Sequence, residues 1–445
     1  MHAPPEIFGI LARKKVKAFS IIIMILILLV GGAAIWYVLL PARTFDVPSV
    51  SLEGEEVQPS TGSWHTRLLR NPAWLADRIP VTKETAAPSG AYADLGAIGK
   101  KQLELEVPAE ADACTFELIR PFDTVNPIEA EGDLAEWESF EFSRNGDYSL
   151  TVSLHYDEDE TYDAADFSYV YNFTIDVQPV VTFSTDRAVQ GDIIRVTADM
   201  GFETEAPTIE SELGLCAFIP TGENCYEAYV PVGYKQSASA KDILVHAGSK
   251  DFTGHVVIVP ANFEVEYFDM PQETIDATMN VPGANQDYAE KIGVLAEERY
   301  IVWEKLWDGQ FIQPVEGVIT SSFGLYRYIN GSSSASRHQG IDIAAPEGTP
   351  VPASNRGQVV FADFVIMTGN TVVIEHGAGL KTIYMHLSEI DCEEGDMVEQ
   401  GDIIGLLGTT GYSTGPHLHF EVRIGDQSVS PWPLIDGTSA IYGTE

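Results

Sequence analysis

Basic side chains are scarce in this sequence: 26 Lys and Arg stand against 66 Asp and Glu in 445 residues, a formal net charge of −40 at pH 7. Such a balance repels nucleic acid and anionic lipid at long range, so no nucleic-acid partner is expected. On an exported chain a surplus of acid serves solubility more often than binding. Cysteine is nearly as rare. Cys114, Cys216, Cys225 and Cys392 are too few for a disulfide scaffold, and no CxxC pair suggests a cysteine metal site. Cys216 and Cys225 bracket a short loop holding Gly222 and Asn224, which a disulfide closes on one reading; unpaired buried thiols are the other. Hydrophobic residues at 45% and charged residues at 21% exclude a disordered or collagenous chain. The length accommodates roughly two to four ordinary domains.

Long apolar runs are also lacking, apart from one. From Ile21 to Leu40 no charged residue occurs, and about 20 residues at roughly 1.5 Å rise span a hydrocarbon core. Arg13, Lys14, Lys15 and Lys17 precede the run while only Arg43 follows closely. That asymmetry predicts a single-pass cell-membrane protein with a cytoplasmic N-terminus and extracytoplasmic C-terminal domains. Trp36 and Tyr37 suit the outer interface. A cleaved secretory signal is the rival reading, but the run is long for one and no small-x-small site follows it.

The rest of the chain predicts a mainly β protein. The expected order is a cytoplasmic tail (1–18), a transmembrane helix (19–41), a stalk or linker (42–100) with a short helix near Trp74, two tandem Ig-like β-sandwich domains (101–179 and 180–268), a short helical linker (269–310) and a C-terminal all-β domain (311–440). Alternation from Tyr148 to Leu154 and from Tyr169 to Val177 marks strands in the first sandwich. Ile193 to Thr197, Val256 to Val259 and Phe263 to Tyr267 mark strands in the second, after a turn at Val189-Gln190-Gly191-Asp192. The acidic run Asp157 to Glu160 has no calcium-loop spacing and reads as a solvated loop. Tyr288, Ile292, Leu295, Val302 and Leu306 share a helical face between Asn285 and Trp307, with Gly309 as the stop.

Five of the ten histidines, His338, His376, His386, His417 and His419, fall in the last quarter of the chain. On a strand, His417 and His419 project from one face while Leu418, Phe420 and Val422 pack on the other. His338 and Asp342, four apart, converge if their segment is extended, and His386 lies in a β-like run with Tyr384 on the same face. This concentration exceeds what a core needs and points to a hydrolytic metal site with histidines left over for proton transfer, although spacing alone does not say which residues are ligands. His376 has no partner at informative spacing and reads as structural. An internal echo runs through the region: Gly348-Thr349-Pro350-Val351 and Gly395-Asp396-Met397-Val398 are each followed by a further glycine, Gly357 and Gly401, and by Val359-Val360 and Ile403-Ile404, which suggests two related hairpins.

His338-x-x-x-Asp342, His386 within Tyr-x-His-Leu, and Gly415-Pro416-His417-Leu418-His419-Phe420-Glu421 resemble the signature of the lysostaphin/LytM-type zinc metallopeptidases. The likeness runs from about Phe311 to Pro431 and takes in Ile319 to Gly324 and Gly340 to Pro346; the turn at Gln190-Gly191-Asp192 leading to Trp307-x-Gly-x-Phe311 is a weaker echo of the domain order in such peptidases. The resemblance implies a compact fold from a duplicated hairpin motif, Zn2+ as cofactor, and peptidoglycan peptide as substrate. It makes His338, Asp342 and His419 the zinc ligands, and His386 and His417 the catalytic residues that act as general base and as donors to the oxyanion. All five positions carry the expected residue. Arg337 holds a substrate carboxylate on one reading and is a surface residue on the other. Loops at Asp363 to Thr368 and Tyr326 to Ser336 are expected to set which bond is cut. The expectation is therefore a membrane-anchored zinc endopeptidase of cell-wall remodelling. The alternative is a latent peptidase-like scaffold that recruits wall, division or sporulation proteins as partners.

Overall fold

The computed structural model describes residues 6–39, 46–67, 82–86, 92–157 and 162–443. The chain divides between Val177 and Gln178 into two compact units. In the first, one helix runs Glu6–Leu39, and its stretch Phe19–Trp36 is long and apolar enough to cross a membrane by length and composition, a test that a signal sequence also meets. The remaining elements of the chain are mostly strands.

The first unit is organised by its longest strand, Tyr162–Ile175, which pairs antiparallel with Gly146–Tyr156. Ala165, Phe167, Tyr169, Tyr171, Phe173 and Ile175 alternate along it and are buried, as period-2 burial of one sheet face requires. The described residues between 46 and 100 form strands rather than the expected stalk. Thr61–Arg67, Thr82–Ala86 and Tyr92–Ile98 join this sheet, and Val50–Leu52 and Glu55–Val57 form a smaller one with Leu105–Glu106. The tyrosine hydroxyls explain the recruitment: Tyr169 and Tyr171 donate to the carbonyls of Pro48 and Val50, each at 2.6 Å, and Val50 and Leu52 are fully buried. The expected helix near Trp74 and most of the acidic run, residues 158–160, lie outside the described residues.

In the second unit two four-stranded sheets face each other. One contains Ile193–Asp199 and Cys225–Pro231 at its centre, the other Ala240–Ala247 and Lys250–Val259. Val196, Val230, Val245 and Val256 from these strands share one core. All four cysteines of the chain are free thiols, so no disulfide closes the Cys216 to Cys225 loop, which is a strand turn held by backbone pairing instead.

The predicted helix from Asn285 to Trp307 is much shorter. It ends at Lys291 after starting at Ala284, and two 3-10 turns follow, Gly293–Ala296 and Glu298–Tyr300. Backbone groups beyond that point are claimed by the next domain: Leu306 N–H donates to His376 and Ala378 N–H to Val302, at 2.8 and 2.9 Å. A helix there would leave the sheet loop unpaired.

The C-terminal domain is built on a ten-stranded sheet whose central path includes Ile341–Ala344, His417–Ile424, Leu380–Ile390, Gly369–Glu375 and Gly357–Val365. The two echoed hairpins interlock crosswise: Pro350–Pro352 of the first pairs with Ile403–Leu407 of the second, and Met397–Val398 of the second pairs with Gly357–Val365 of the first. Each sheet face is covered. One packs Leu418, Phe420, Val422 and Tyr384 with Tyr229, Trp307 and Phe311. The other packs Ile383, Met385 and Val373 under Ile292 and Leu295 from the short helical segment.

Candidate active site

Strand register creates the centre of the site. Asp342 pairs directly with His419, and Ala344 with His417, so these side chains share one face. Gly340 permits the approach: a Cβ there would stand 2.2 Å from the Phe420 carbonyl oxygen. His338 precedes that strand and is clamped to the Ser322–Leu325 turn. Its N–H donates to Leu325 at 3.0 Å, its carbonyl accepts from Gly324 at 2.9 Å, and its Nδ1–H donates to the Ser322 carbonyl at 2.9 Å. With Nδ1 protonated, Nε2 presents a lone pair to the centre.

Three donor atoms meet there. His338 Nε2 lies 3.0 Å from Asp342 Oδ1 and 2.9 Å from His419 Nδ1, and His419 Nδ1 lies 2.8 Å from the same carboxylate oxygen. All three residues are buried. Two imidazole nitrogens and a carboxylate oxygen at these separations fit a cation that reaches each at roughly 2.0–2.2 Å, the donor set and spacing of a catalytic zinc site. Electrostatics agree. Burial opposes ionisation of Asp342, but His338 and His419 outweigh it and hold its carboxyl well below the usual range. Burial likewise opposes charge on His419, yet Asp342 and Glu421 push its pKa up to about 9. Asp342 and Glu421 thus favour positive charge at the centre of the cluster.

His386 reaches the same place by a different route. Asn370 pairs with Leu387 and Val372 with Tyr384, so the Leu380–Ile390 strand carries one extra residue between those pairs. This bulge sits at His386, whose φ is +65°. Tyr384 and Leu387 consequently face the core on one side of the sheet, while Met385 and His386 both face the cleft. The expectation that Tyr384 and His386 share a face is therefore wrong: the tyrosine is buried and its hydroxyl accepts from Ser354 N–H at 2.7 Å. His386 Nδ1–H donates to the Thr410 carbonyl and His417 Nδ1–H to that of Gly415, both at 2.8 Å, with the rings 4.8 Å apart. Burial, then neighbouring histidines, lowers the pKa of His386 to about 3; burial also lowers that of His417. Both are held neutral with Nε2 free of the anchoring bond.

These residues open into a cleft of about 620 Å³. Its lining includes residues that spacing did not single out. Arg327 pairs with Asp342 Oδ2, the oxygen turned away from the two histidines. Glu421 approaches His419 Nε2 at 3.9 Å and is gripped by Arg423 and Ser428. Glu421 and Arg423 were within reach, since His417, His419, Glu421 and Arg423 form one polar face alternating with apolar residues. Arg327 had no such signal. Arg337 donates through Nε to the Gly324 carbonyl at 2.7 Å and lies over the rings of Tyr326, Phe263 and Tyr234, while its Nη2 has no hydrogen-bond partner. His376 is apart from the site, buried, with Nδ1–H donating to the Arg356 carbonyl and Nε2 2.7 Å from the Thr382 hydroxyl.

The sequence profile of peptidase family M23 matches residues 336–431, the segment that carries all five of these histidine and aspartate side chains. Over 27% of its length the chain is 35% identical to the catalytic domain of lysostaphin from Staphylococcus simulans, covering 92% of that domain, with a TM-score of 0.25. The chain belongs to peptidase family M23. The chain is also 44% identical over 113 residues to an uncharacterized metalloprotease of Buchnera aphidicola, and 48% identical over 113 residues to the DD-carboxypeptidase/endopeptidase Mpg of Neisseria meningitidis. Each match takes in 25% of this chain, and the chain spans 30% and 26% of the lengths of these two relatives. M23 is a metallopeptidase family, and among the described residues His338, Asp342 and His419 form the group whose ligand atoms lie close enough together to hold a metal ion.

Proposed function

We propose that this protein is a zinc-dependent endopeptidase that hydrolyses peptide bonds of peptidoglycan during cell-wall remodelling, anchored in the cell membrane by Phe19–Trp36 with its N-terminus cytoplasmic and its later domains outside. The observation that carries the reading is the convergence of His338, Asp342 and His419 within 3.0 Å, beside two imidazoles whose Nδ1 atoms are tied to carbonyls. The name of the Neisseria relative, a DD-carboxypeptidase/endopeptidase, supports peptide-bond hydrolysis.

His338 Nε2, His419 Nδ1 and Asp342 Oδ1 would hold the zinc. The bound ion supplies Lewis acidity toward water and a peptide carbonyl. A neutral imidazole with a free Nε2, at His386 or His417, accepts the proton of the attacking water and returns it to the leaving amine. The water's proton, held at Nε2 of the accepting ring or passed to its partner ring 4.8 Å away, supplies the donor to the oxygen that gains charge as the amide carbonyl is attacked, before it reaches the leaving amine. Burial keeps both rings neutral beforehand, so each is in the form that takes a proton.

The test uses purified full-length protein in detergent. About one zinc per chain together with new amino groups released from peptidoglycan is expected of the wild type, loss of both in His338→Ala, and loss of release alone in His417→Ala. Stoichiometric zinc without release from any wall type would abandon the hydrolase in favour of the recruiting scaffold. Protease protection of the N-terminal tail in sealed vesicles checks the orientation.

A further inference from the structure

The metal ligands are braced from outside the M23 segment. The segment joining the sandwich to the M23 domain contributes the strand Val265–Phe268, which pairs in parallel with Tyr326–Ile329 and sets Glu266 opposite Arg327. Glu266 Oε2 lies 3.5 Å from Arg327 Nε, while the other end of the same guanidinium holds Asp342 Oδ2. The helix Ala284–Lys291 contributes Tyr288, whose hydroxyl accepts from Arg423 Nη2 at 2.7 Å. Arg423 grips Glu421, and Glu421 faces His419 Nε2. Two charged relays therefore run inward, one ending on Asp342 and the other on His419.

The geometry gives each relay a physical task. Arg327 occupies Oδ2 of Asp342, which leaves Oδ1 as the oxygen aimed at His338 and His419. A carboxylate with both oxygens free could rotate or bind in two-point fashion. Glu421, 3.9 Å from His419 Nε2, sets a negative charge behind the ring that favours the Nε2–H tautomer, so that Nδ1 is the donor that faces the centre. Arg423 is the counter-ion that lets Glu421 remain charged when buried, and Tyr288 and Gln339, the latter at 3.1 Å, share its Nη2 hydrogens with Glu421. The helix itself is fastened in place: Asp287 accepts from Ile366 N–H at 2.9 Å and Lys291 donates to the Phe364 carbonyl at 2.7 Å.

We infer that Glu266 and Tyr288, which lie outside residues 336–431, are positioning residues for the metal centre and that the joining segment is a working part of the peptidase. The inference rests on the zinc-site reading above. Partners of metal ligands at this remove change affinity by roughly 10- to 100-fold when lost. Tyr288→Phe deletes one hydroxyl and keeps the ring packed beside Ile292; Glu266→Gln keeps the shape and removes the charge.

Zinc affinity of the full-length protein, measured by chelator competition, is the test, with the visible spectrum of the cobalt-loaded protein as a second readout. Tyr288→Phe is expected to weaken zinc by roughly tenfold or more and to shift the cobalt bands, and Glu266→Gln to do so by a smaller factor. Ile292→Val, which loosens the same packing without touching a relay, is expected to lower thermal stability and leave zinc affinity and the spectrum unchanged. Wild-type affinity and spectrum in both relay variants overturn the inference, as does an equal effect of Ile292→Val. Failure of the wild type to bind zinc would overturn the zinc-site reading itself and the inference with it.

Discussion

His386 and His417 stand with ring centroids 4.8 Å apart, each with its Nδ1 tied to a backbone carbonyl of one loop, Thr410 for the first and Gly415 for the second. The pairing exists because a bulge turns His386 out of the core, whereas His417 arrives by plain alternation. Two neutral imidazoles with matched tautomers thus flank a three-donor cluster.

Replacing either ring should separate chemistry from metal binding. His386→Ala and His417→Ala are each expected to lower the rate of peptide cleavage by about 10²- to 10⁴-fold. Zinc content should stay near that of the wild type, whereas His338→Ala and Asp342→Ala should lose both. Metal analysis beside a cleavage assay checks the division.

Metal uptake should release a proton. In the metal-free pocket His419 carries a proton up to about pH 9 because of Asp342 and Glu421, and a ligand must shed it to bind a cation. Calorimetric titration with zinc at pH 7.5, repeated in buffers of different ionisation enthalpy, is expected to show release of about one proton per ion, falling toward zero as pH rises past that value. Release that does not diminish above pH 10 would refute the assignment to His419.

Acid should unfold the M23 domain partly through His376. Burial lowers its pKa to about 4, below the unfolded value of 6.5, so the unfolded chain binds the extra proton first as pH falls. The stability due to its neutral form is complete above pH 6.5 and is lost as pH falls from there toward 4, amounting to about 3 kcal/mol over that window. Denaturant titrations of wild type and His376→Gln across this range should differ in slope, the variant being the flatter.

Glu375 and Lys381 form an ion pair that is almost fully buried, and the carboxylate also accepts from Gly379 N–H at 2.9 Å and Val302 N–H at 3.3 Å. Lys381→Met strands a buried carboxylate and is expected to cost about 3–5 kcal/mol, while Glu375→Gln combined with Lys381→Met should cost less than the single change. Equal losses would mean that the pair contributes little beyond packing.

His417 and His419 were legible as neighbours because strand alternation is local, whereas His386 was expected on the face of Tyr384 and the division into ligands and catalytic residues came from the family signature. His417 and His419 must share a face if their segment is extended, and the apolar residues between them say that it is. The interlocked hairpins were foreshadowed by the repeated Gly, Pro and Val spacing, though their crosswise pairing was not. Residues 46–98 misled because their strands have weak patterns and are held by hydroxyls and edges supplied from far along the chain. The helix after Ala284 misled because its later backbone groups find partners in the M23 domain.

By itself, then, the sequence determined the class of chemistry, the strand-borne histidines and one apolar helix, all of which follow from composition and from periods of a few residues. Only tertiary structure decided that His386 leaves the Tyr384 face, that Arg337 stacks on aromatic rings, and that Glu266 and Tyr288 stand behind Asp342 and His419. Those outcomes turn on an extra residue in one strand relative to its neighbour and on side chains brought together from 61 and 135 positions apart (327 − 266 and 423 − 288). No local pattern encodes such distances; they are fixed by which surfaces pack.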